Sequence, residues 1–373
     1  ALVVTLVFMF ALRPVAEAVG LVDRPGGRKS HIGEVPVIGG VAMFLGVFAG
    51  LSLFQESGYA VGSLMSASLL LVAIGVIDDR FHLPSAVRFA AQITVALIMV
   101  YGADLSLADI GDPFGIGVIS LGPFGLIFTV CVTLTIINSY NLIDGVDGLA
   151  GTLAMIALMS IAIVGGIGAP STAMAVVAAS AILGYLCFNF PAGVNKPLRS
   201  FMGDAGSTLL GFTIVWITLG ISQGPGQLIS PVHCLWFAAI PVFDCMTCFV
   251  RRIRAGKSPF QPGRDHFHHT LKNSGMSERL VLATLVGFQL LYAMIALIGF
   301  FAEVADSVMF SGWAVAAISQ RFVIKRVAGV YRRSVRRRSL AGAAGVGRRC
   351  WRPYEKPANS PGALLLVSAC TCI

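Results

Sequence analysis

The chain has 373 residues, of which 56% are hydrophobic and 12% charged, and its formal net charge is +9. A soluble domain carries about a quarter charged residues, so a mean hydropathy of +0.82 excludes an ordinary soluble globule and indicates a polytopic membrane protein. The basic excess calls for no nucleic acid once its distribution along the chain is read.

In chain order the apolar runs fall near residues 1–12, 38–54, 61–77, 87–102, 123–140, 149–166, 172–188, 206–222, 231–250, 280–301 and 308–324. They predict an all-α bundle of eleven transmembrane helices. A crossing helix needs about 20 apolar residues, with a range of roughly 17–25. The first run is short and begins mid-run at Ala1 without an initiator Met, so a truncated helix is expected; it lacks the basic leader and cleavage motif that a signal peptide would carry. The connecting loops then sort into two sets. Those near 55–60, 103–122, 167–171, 223–230 and 302–307 hold no Lys or Arg and six acids: Glu56, Asp104, Asp109, Asp112, Glu303 and Asp306. All 27 Lys and Arg lie on the other side or at its boundary, which the positive-inside rule makes cytoplasmic. The +9 charge is then an inner face meeting anionic lipid and an anionic substrate.

Residues 1–326 read as one membrane-embedded catalytic domain. Residues 327–373 read as a basic cytoplasmic tail, disordered or unrelated to the rest. Five of the eight cysteines, Cys131, Cys187, Cys234, Cys245 and Cys248, lie in apolar spans. Cys245 and Cys248 form a C-x-x-C without a second pair, so buried inert thiols are expected rather than a zinc site.

The polar residues collect in five inward stretches: "DRPGGRKSHIGEVPVIGG" from Asp23, "GVIDDRFHLPSAVRF" from Gly75, "NSYNLIDGVDGLAG" from Asn138, "FNFPAGVNKPLRSFMGDAGS" from Phe188, and the loop from Arg251 to Ser277. All five share one face, so they suggest one site at the membrane surface. Asp78 and Asp79 end an apolar helix, where acids are costly in the membrane and poorly placed against the helix dipole. Asp144 and Asp147 stand three apart, with Gly145 and Gly148 leaving room for a ligand beside the backbone. Asn141 adds a neutral oxygen, and Asn, Asp and water are what Mg²⁺ takes. Asp204 opens a helix between glycines, as a cap or anion-side residue. Asp244 lies two turns inside from Arg251, either functional or ion-paired.

"PGRDHFHHTL", residues 262–271, places His266, His268 and His269 within four positions. Zinc is one reading. Arg251, Arg252, Arg254, Lys257, Arg264 and Lys272 crowd the same loop, and Arg forks with His N–H donors are phosphate-binding chemistry. The acids and the loop together read as Mg²⁺ plus a diphosphate.

"DRPGGRKSH", "DDR", "NLIDGVDGLAG", "FMGDAGS" and "KSPFQPGRDHFHH", in this order over residues 20–300, resemble the polyprenyl-phosphate N-acetylhexosamine-1-phosphate transferases (glycosyltransferase family 4). That resemblance implies transfer of an N-acetylhexosamine 1-phosphate, GlcNAc-1-phosphate above all, from a UDP-N-acetylhexosamine to undecaprenyl phosphate, with release of UMP. It implies Mg²⁺, or Mn²⁺, held by Asn141 and Asp204, and catalysis by Asp78 and Asp79. Substrate binding falls to Lys29, His31, Arg88, Asp144, Asp147, Asn189, Arg264, His266, His268 and His269. The expected setting is the bacterial inner membrane with the site facing the cytoplasm, and the family admits a homodimer. "DHFHH" after "KSPFQPG" resembles the branch that begins O-antigen and other surface polysaccharides; the peptidoglycan branch, which acts on phospho-MurNAc-pentapeptide, is the alternative. A cation-coupled transporter would instead place polar groups at mid-membrane with access from both faces.

Overall fold

A computed structural model describes residues 1–24, 33–53, 59–191, 198–224, 226–258, 263 and 265–350, with side chains to 336. It is all-α apart from one two-stranded ribbon. The helices are α1 (Leu2–Val19), α2 (Gly39–Ser52), α3 (Tyr59–Phe81), α4 (Ser85–Ala103), α5 (Gly125–Ile143), α6 (Leu149–Gly165) and α7 (Pro170–Asn189). They continue with α8 (Gly203–Ser222), α9 (Pro231–Cys234), α10 (Ala239–Arg254), α11 (Phe267–Lys272), α12 (Glu278–Phe301) and α13 (Asp306–Cys350). Among the described residues, eight helices are long and apolar enough to cross a bilayer; α2 and α6 are shorter apolar helices.

Each apolar run falls on a helix, with two differences. The first is not short, since α1 has 18 residues. The run read over 231–250 is broken: α9 stops at Cys234 and α10 begins at Ala239. Broken backbone at membrane depth must find internal partners. Gln289 of α12, fully buried, supplies them. Its Oε1 accepts Ile240 N at 3.0 Å, and its Nε2 donates to Phe237 O at 2.8 Å and Trp236 O at 3.3 Å. At the chain's end, α13 runs as helix through the boundary read at 326 and on to Cys350; residues 351–373 lie outside the described residues.

α8 is the buried axis of the bundle, with α2, α3, α5 and α6 packed around it. Small residues set how near these helices come, as they do in membrane bundles generally. A Cβ on Gly40 would stand 2.3 Å from Gly206 N, and one on Gly75 2.3 Å from Ala205 Cα. Gly75 lies one turn before the acidic pair, so this approach delivers Asp78 and Asp79 to the start of α8. The strands β1 (Val22–Asp23) and β2 (Val35–Pro36) pair antiparallel. From β2 the chain runs on to clasp the same point, with Phe201 N donating to Pro36 O at 2.9 Å and Gly40 N to Met202 O at 3.1 Å.

The lysine- and arginine-free loops are tied together at the other end. Asp306 Oδ2 accepts Ser230 Oγ at 2.6 Å and Asp112 N at 2.9 Å, and Gln223 Oε1 accepts Ala108 N at 2.8 Å. Asp306 therefore has structural work at this end. Cys234, Cys245 and Cys248 are buried as expected, but Cys131 and Cys187 are exposed on the helix surface. Burial is set by which way a helix faces, and apolar composition alone does not reveal that.

Candidate active site

Asp78, Asp79, Asn141 and Asp204 meet where α3, α5 and α8 converge. The adjacent carboxylates of Asp78 and Asp79 turn to different partners. Asp78, buried, accepts Leu83 N at 2.6 Å and Arg88 Nη1 at 3.2 Å. Arg88 Nη1 also reaches Asp204 Oδ2 at 3.5 Å, so one guanidinium nitrogen bridges two acids. Asp79 accepts Asp204 N at 2.9 Å and Ala205 N at 3.4 Å. Asn141 Nδ2 donates to Asp204 Oδ1 at 2.7 Å and to Ser207 Oγ at 3.0 Å.

The "NLIDGVDGLAG" loop lies beside this cluster. Asp144 follows α5. Poor solvation, then the charges of Asp204, Asp147 and Asp79, push its carboxyl up to about 8. Asp147 pairs with Arg199 Nη2 at 2.5 Å, and Arg199 lies over the Phe201 ring at 4.9 Å. Asn189 is spent on backbone: its Oδ1 accepts Gly148 N at 2.7 Å and its Nδ2 donates to Ser200 O at 2.8 Å. It braces the glycine loop against the segment leading to Asp204.

The histidine segment closes the other side. His266 caps α11, and His268 and His269 lie in its first turn. A Cβ on Gly145 would stand 2.3 Å from His268 Nε2, so the bare glycine is what admits this ring. His268 is buried and its Nδ1 has no hydrogen-bond partner. Burial, then the neighbouring His269, His266 and Lys272, hold its imidazole well below the ordinary basicity. Lys272 Nζ pairs with Glu278 Oε1 at 2.9 Å and reaches Gly145 O at 3.4 Å, linking α11 to the aspartate loop.

Two cavities meet here. One, of about 910 Å³, is walled mostly by apolar residues of α3, α4, α5 and α10, among them Leu71, Phe89, Leu134 and Phe249. The other, of about 680 Å³, is polar and includes Asp79, Asp144, Asp147, Tyr185 and Arg199. Asp78, Asn141, Gly145, Asp204 and His269 line both. The shared wall thus carries the cluster of acids. Around it Asp78, Asp79, Asp144, Asp147 and Asp204 are set against Arg88 and Arg199 as directly paired cations. Among the described residues the cluster's donors are all oxygen, and its five carboxyl groups outnumber the directly paired Arg88 and Arg199. That set fits a hard divalent cation.

Lys29, His31 and Arg264 lie outside the described residues. The other expected site residues are brought together. Sequence reasoning assigned nothing to Arg199, Phe201, Tyr185 or Ser207. Arg199 and Phe201 stand within five residues of Asp204 and could have been found by that proximity; Tyr185, in the middle of an apolar run, carried no signal. Asp244 pairs with His266 rather than with Arg251, which binds Asp265 at 2.5 Å. Asp244, Cys248 and His266 also place three ligand atoms within 4.8 Å of one another.

Residues 61–222 match the family model described as glycosyl transferase family 4. The chain is 36% identical over 332 residues to the undecaprenyl-phosphate alpha-N-acetylglucosaminyl 1-phosphate transferase of Escherichia coli O157:H7, covering 86% of this chain and 88% of that one. It is 37% identical to the protein of the same name from Salmonella typhi, covering 80% and 81%. The similarity to that of Pasteurella multocida is 36% over 90% and 94%.

Proposed function

The chain belongs to glycosyl transferase family 4, and from that premise we propose that it transfers N-acetylglucosamine 1-phosphate from UDP-GlcNAc to undecaprenyl phosphate, releasing UMP. The observation that carries this reading is the meeting of an apolar cavity and a polar one at Asp78, Asn141, Asp204 and His269. A polyprenyl chain suits the first and a nucleotide sugar the second. Their shared wall is where a lipid phosphate and a sugar diphosphate would meet. The names of the relatives support undecaprenyl phosphate as the acceptor and N-acetylglucosaminyl 1-phosphate as the group transferred.

In the proposed reaction an oxygen of the lipid phosphate attacks the β-phosphorus of the donor. The bond from that phosphorus to the bridging oxygen breaks, and UMP leaves with the electron pair. Phosphoryl transfer needs little covalent help from protein, so positioning and charge dominate. Asp204, with Asn141 after a turn of its amide, would hold Mg²⁺, and Asp78 and Asp79 stand beside it. Bound there, the cation would offset the charge developing on the diphosphate. Arg88 sits between Asp78 and Asp204 and can turn toward a phosphate. Asp78 is the nearer of the pair to the apolar cavity, which it lines while Asp79 does not, and is assigned to receive a proton from the lipid phosphate. His266, His268 and His269 form the wall against the donor diphosphate.

The charge asymmetry of the loops supports an inner-membrane setting with this site at the cytoplasmic face. The test is release of UMP by the purified chain in detergent with undecaprenyl phosphate and Mg²⁺, with UDP-GlcNAc, other UDP-N-acetylhexosamines and the UDP-MurNAc-pentapeptide supplied in parallel. No UMP from any of them refutes the reading; UMP from the pentapeptide donor alone moves the chain to the peptidoglycan branch.

A further inference from the structure

Asp244 has no part in the reaction as argued so far, yet it is 1% exposed in α10, away from the acid cluster. A buried carboxylate is costly unless it is paired and hydrogen-bonded. Both of its oxygens are used on the histidine segment. Oδ2 is 2.8 Å from His266 Nδ1, and Oδ1 accepts Phe267 N at 2.7 Å. One side chain thus holds the His266 ring and the first amide of α11. Cys248 Sγ, also from α10, is 3.4 Å from the same ring nitrogen. With Nδ1 engaged, Nε2 is the ring nitrogen left for the cavity that His266 lines together with Asp78, Arg88 and Asp204.

We propose that Asp244 is a positioning residue that sets the ring orientation of His266, so that Nε2 is the nitrogen presented to an anionic phosphate in the cavity. A carboxylate accepting from Nδ1–H fixes the orientation of the ring and leaves Nε2 to face the ligand. The bond to Phe267 N adds register: where α10 stands, the start of α11 stands. The three-residue group could also be taken for a transition-metal triad. Its geometry is that of hydrogen bonds, with one carboxylate oxygen already committed to a backbone amide, and a bound metal is therefore made an outcome of the test.

The inference rests on the diphosphate reading of the histidine wall, and the experiment separates the two. The probe is inorganic pyrophosphate, titrated calorimetrically into the detergent-purified chain in EDTA, for the wild type, Asp244→Asn, His266→Asn and the double variant. In Asp244→Asn the amide oxygen can still accept Phe267 N, but its NH₂ meets Nδ1 in place of an acceptor, so an Nδ1–H no longer holds the ring. Each single variant is expected to bind about tenfold more weakly, with a thermal midpoint near that of the wild type. The double variant is expected to bind no more weakly than His266→Asn, because the two act as one unit. Asp244→Glu is expected to recover part of the loss. Wild-type affinity in Asp244→Asn, or additive losses in the double variant, overturns the proposal and leaves Asp244 a scaffold contact. Stoichiometric zinc that is lost in Cys248→Ala overturns it in favour of a metal triad. A wild type that binds pyrophosphate through this pair but releases no UMP overturns the transfer reaction and not the pair.

Discussion

Asp79 caps the helix that carries Asp204, its Oδ1 accepting the Asp204 amide at 2.9 Å. A carboxylate at a helix N-terminus gains from the hydrogen bond and from the helix dipole. Asp79 therefore decides where Asp204 stands as well as adding charge to the site. Asp79→Ala is expected to cost about 1 kcal/mol of stability through the lost cap. Asp79→Asn keeps an oxygen for the amide and is expected to retain its melting temperature. Its UMP release should still fall about a hundredfold, the lower range for a group handling protons or charge at the reacting centre. Thermal unfolding in detergent and initial rates on the two variants check both halves.

Gly145 leaves the space that His268 fills. A methyl group there would stand 2.3 Å from Nε2 and 2.7 Å from Cε1, and the buried ring has little room to retreat. Gly145→Ala is expected to cost about 1–3 kcal/mol, as overpacking does. A displaced histidine wall should lower UMP release about tenfold to a hundredfold. Adding His268→Ala should restore the melting temperature without restoring activity. A Gly145→Ala variant with wild-type stability and rate would refute this contact.

The parts of the site that follow local rules were legible in the chain. Apolar runs of membrane length, basic residues confined to one set of loops, and the Asp144 and Asp147 spacing each rest on one segment at a time. What was hidden depends on two segments meeting. Asn141 and Asp204 are 63 residues apart in sequence, and no spacing rule joins them; family resemblance did. Asp244 was visible as an acid in an apolar span, but Arg251, the nearest cation in sequence, turned out to be taken by Asp265. The break between α9 and α10 was missed because "PVHCLWFAAIPVF" is apolar but for His233, although Pro241, with no N–H to offer Phe237 O, is a helix-breaking signal. The group that permits the break, Gln289, sits on another helix.

That glutamine gives a stability prediction independent of the chemistry. Gln289→Leu keeps the volume near constant but strips the partner from Ile240 N and Phe237 O in the buried bend, while Trp236 O keeps Ala239 N at 3.3 Å. Leaving such backbone groups unpaired away from water costs about 1–3 kcal/mol each; with partial relaxation the expected loss is about 2–4 kcal/mol in all. Unfolding in detergent measures it. Because the bend precedes the helix holding Asp244, pyrophosphate affinity should fall in parallel. Unchanged stability would mean that the bend satisfies its own backbone.

Asp144 makes stability depend on pH in a definite direction. Its carboxyl is pushed from the ordinary 3.8 up to about 8. Between those values the folded chain keeps a proton that the unfolded chain has released. The contribution to stability is therefore full below about pH 4, is lost as pH rises toward 8, and is flat above. In EDTA the melting temperature of the wild type should fall across this window. Asp144→Asn, neutral at every pH, should lack that component and exceed the wild type in stability at pH 9. Added Mg²⁺ should raise the wild-type melting temperature more at pH 9 than at pH 6, since an ionised Asp144 adds attraction for the cation, and the difference should shrink in Asp144→Asn. Parallel profiles for the two proteins would show that Asp144 is ionised throughout, and would remove the repulsion from Asp204, Asp147 and Asp79 as a reason for a cation to bind.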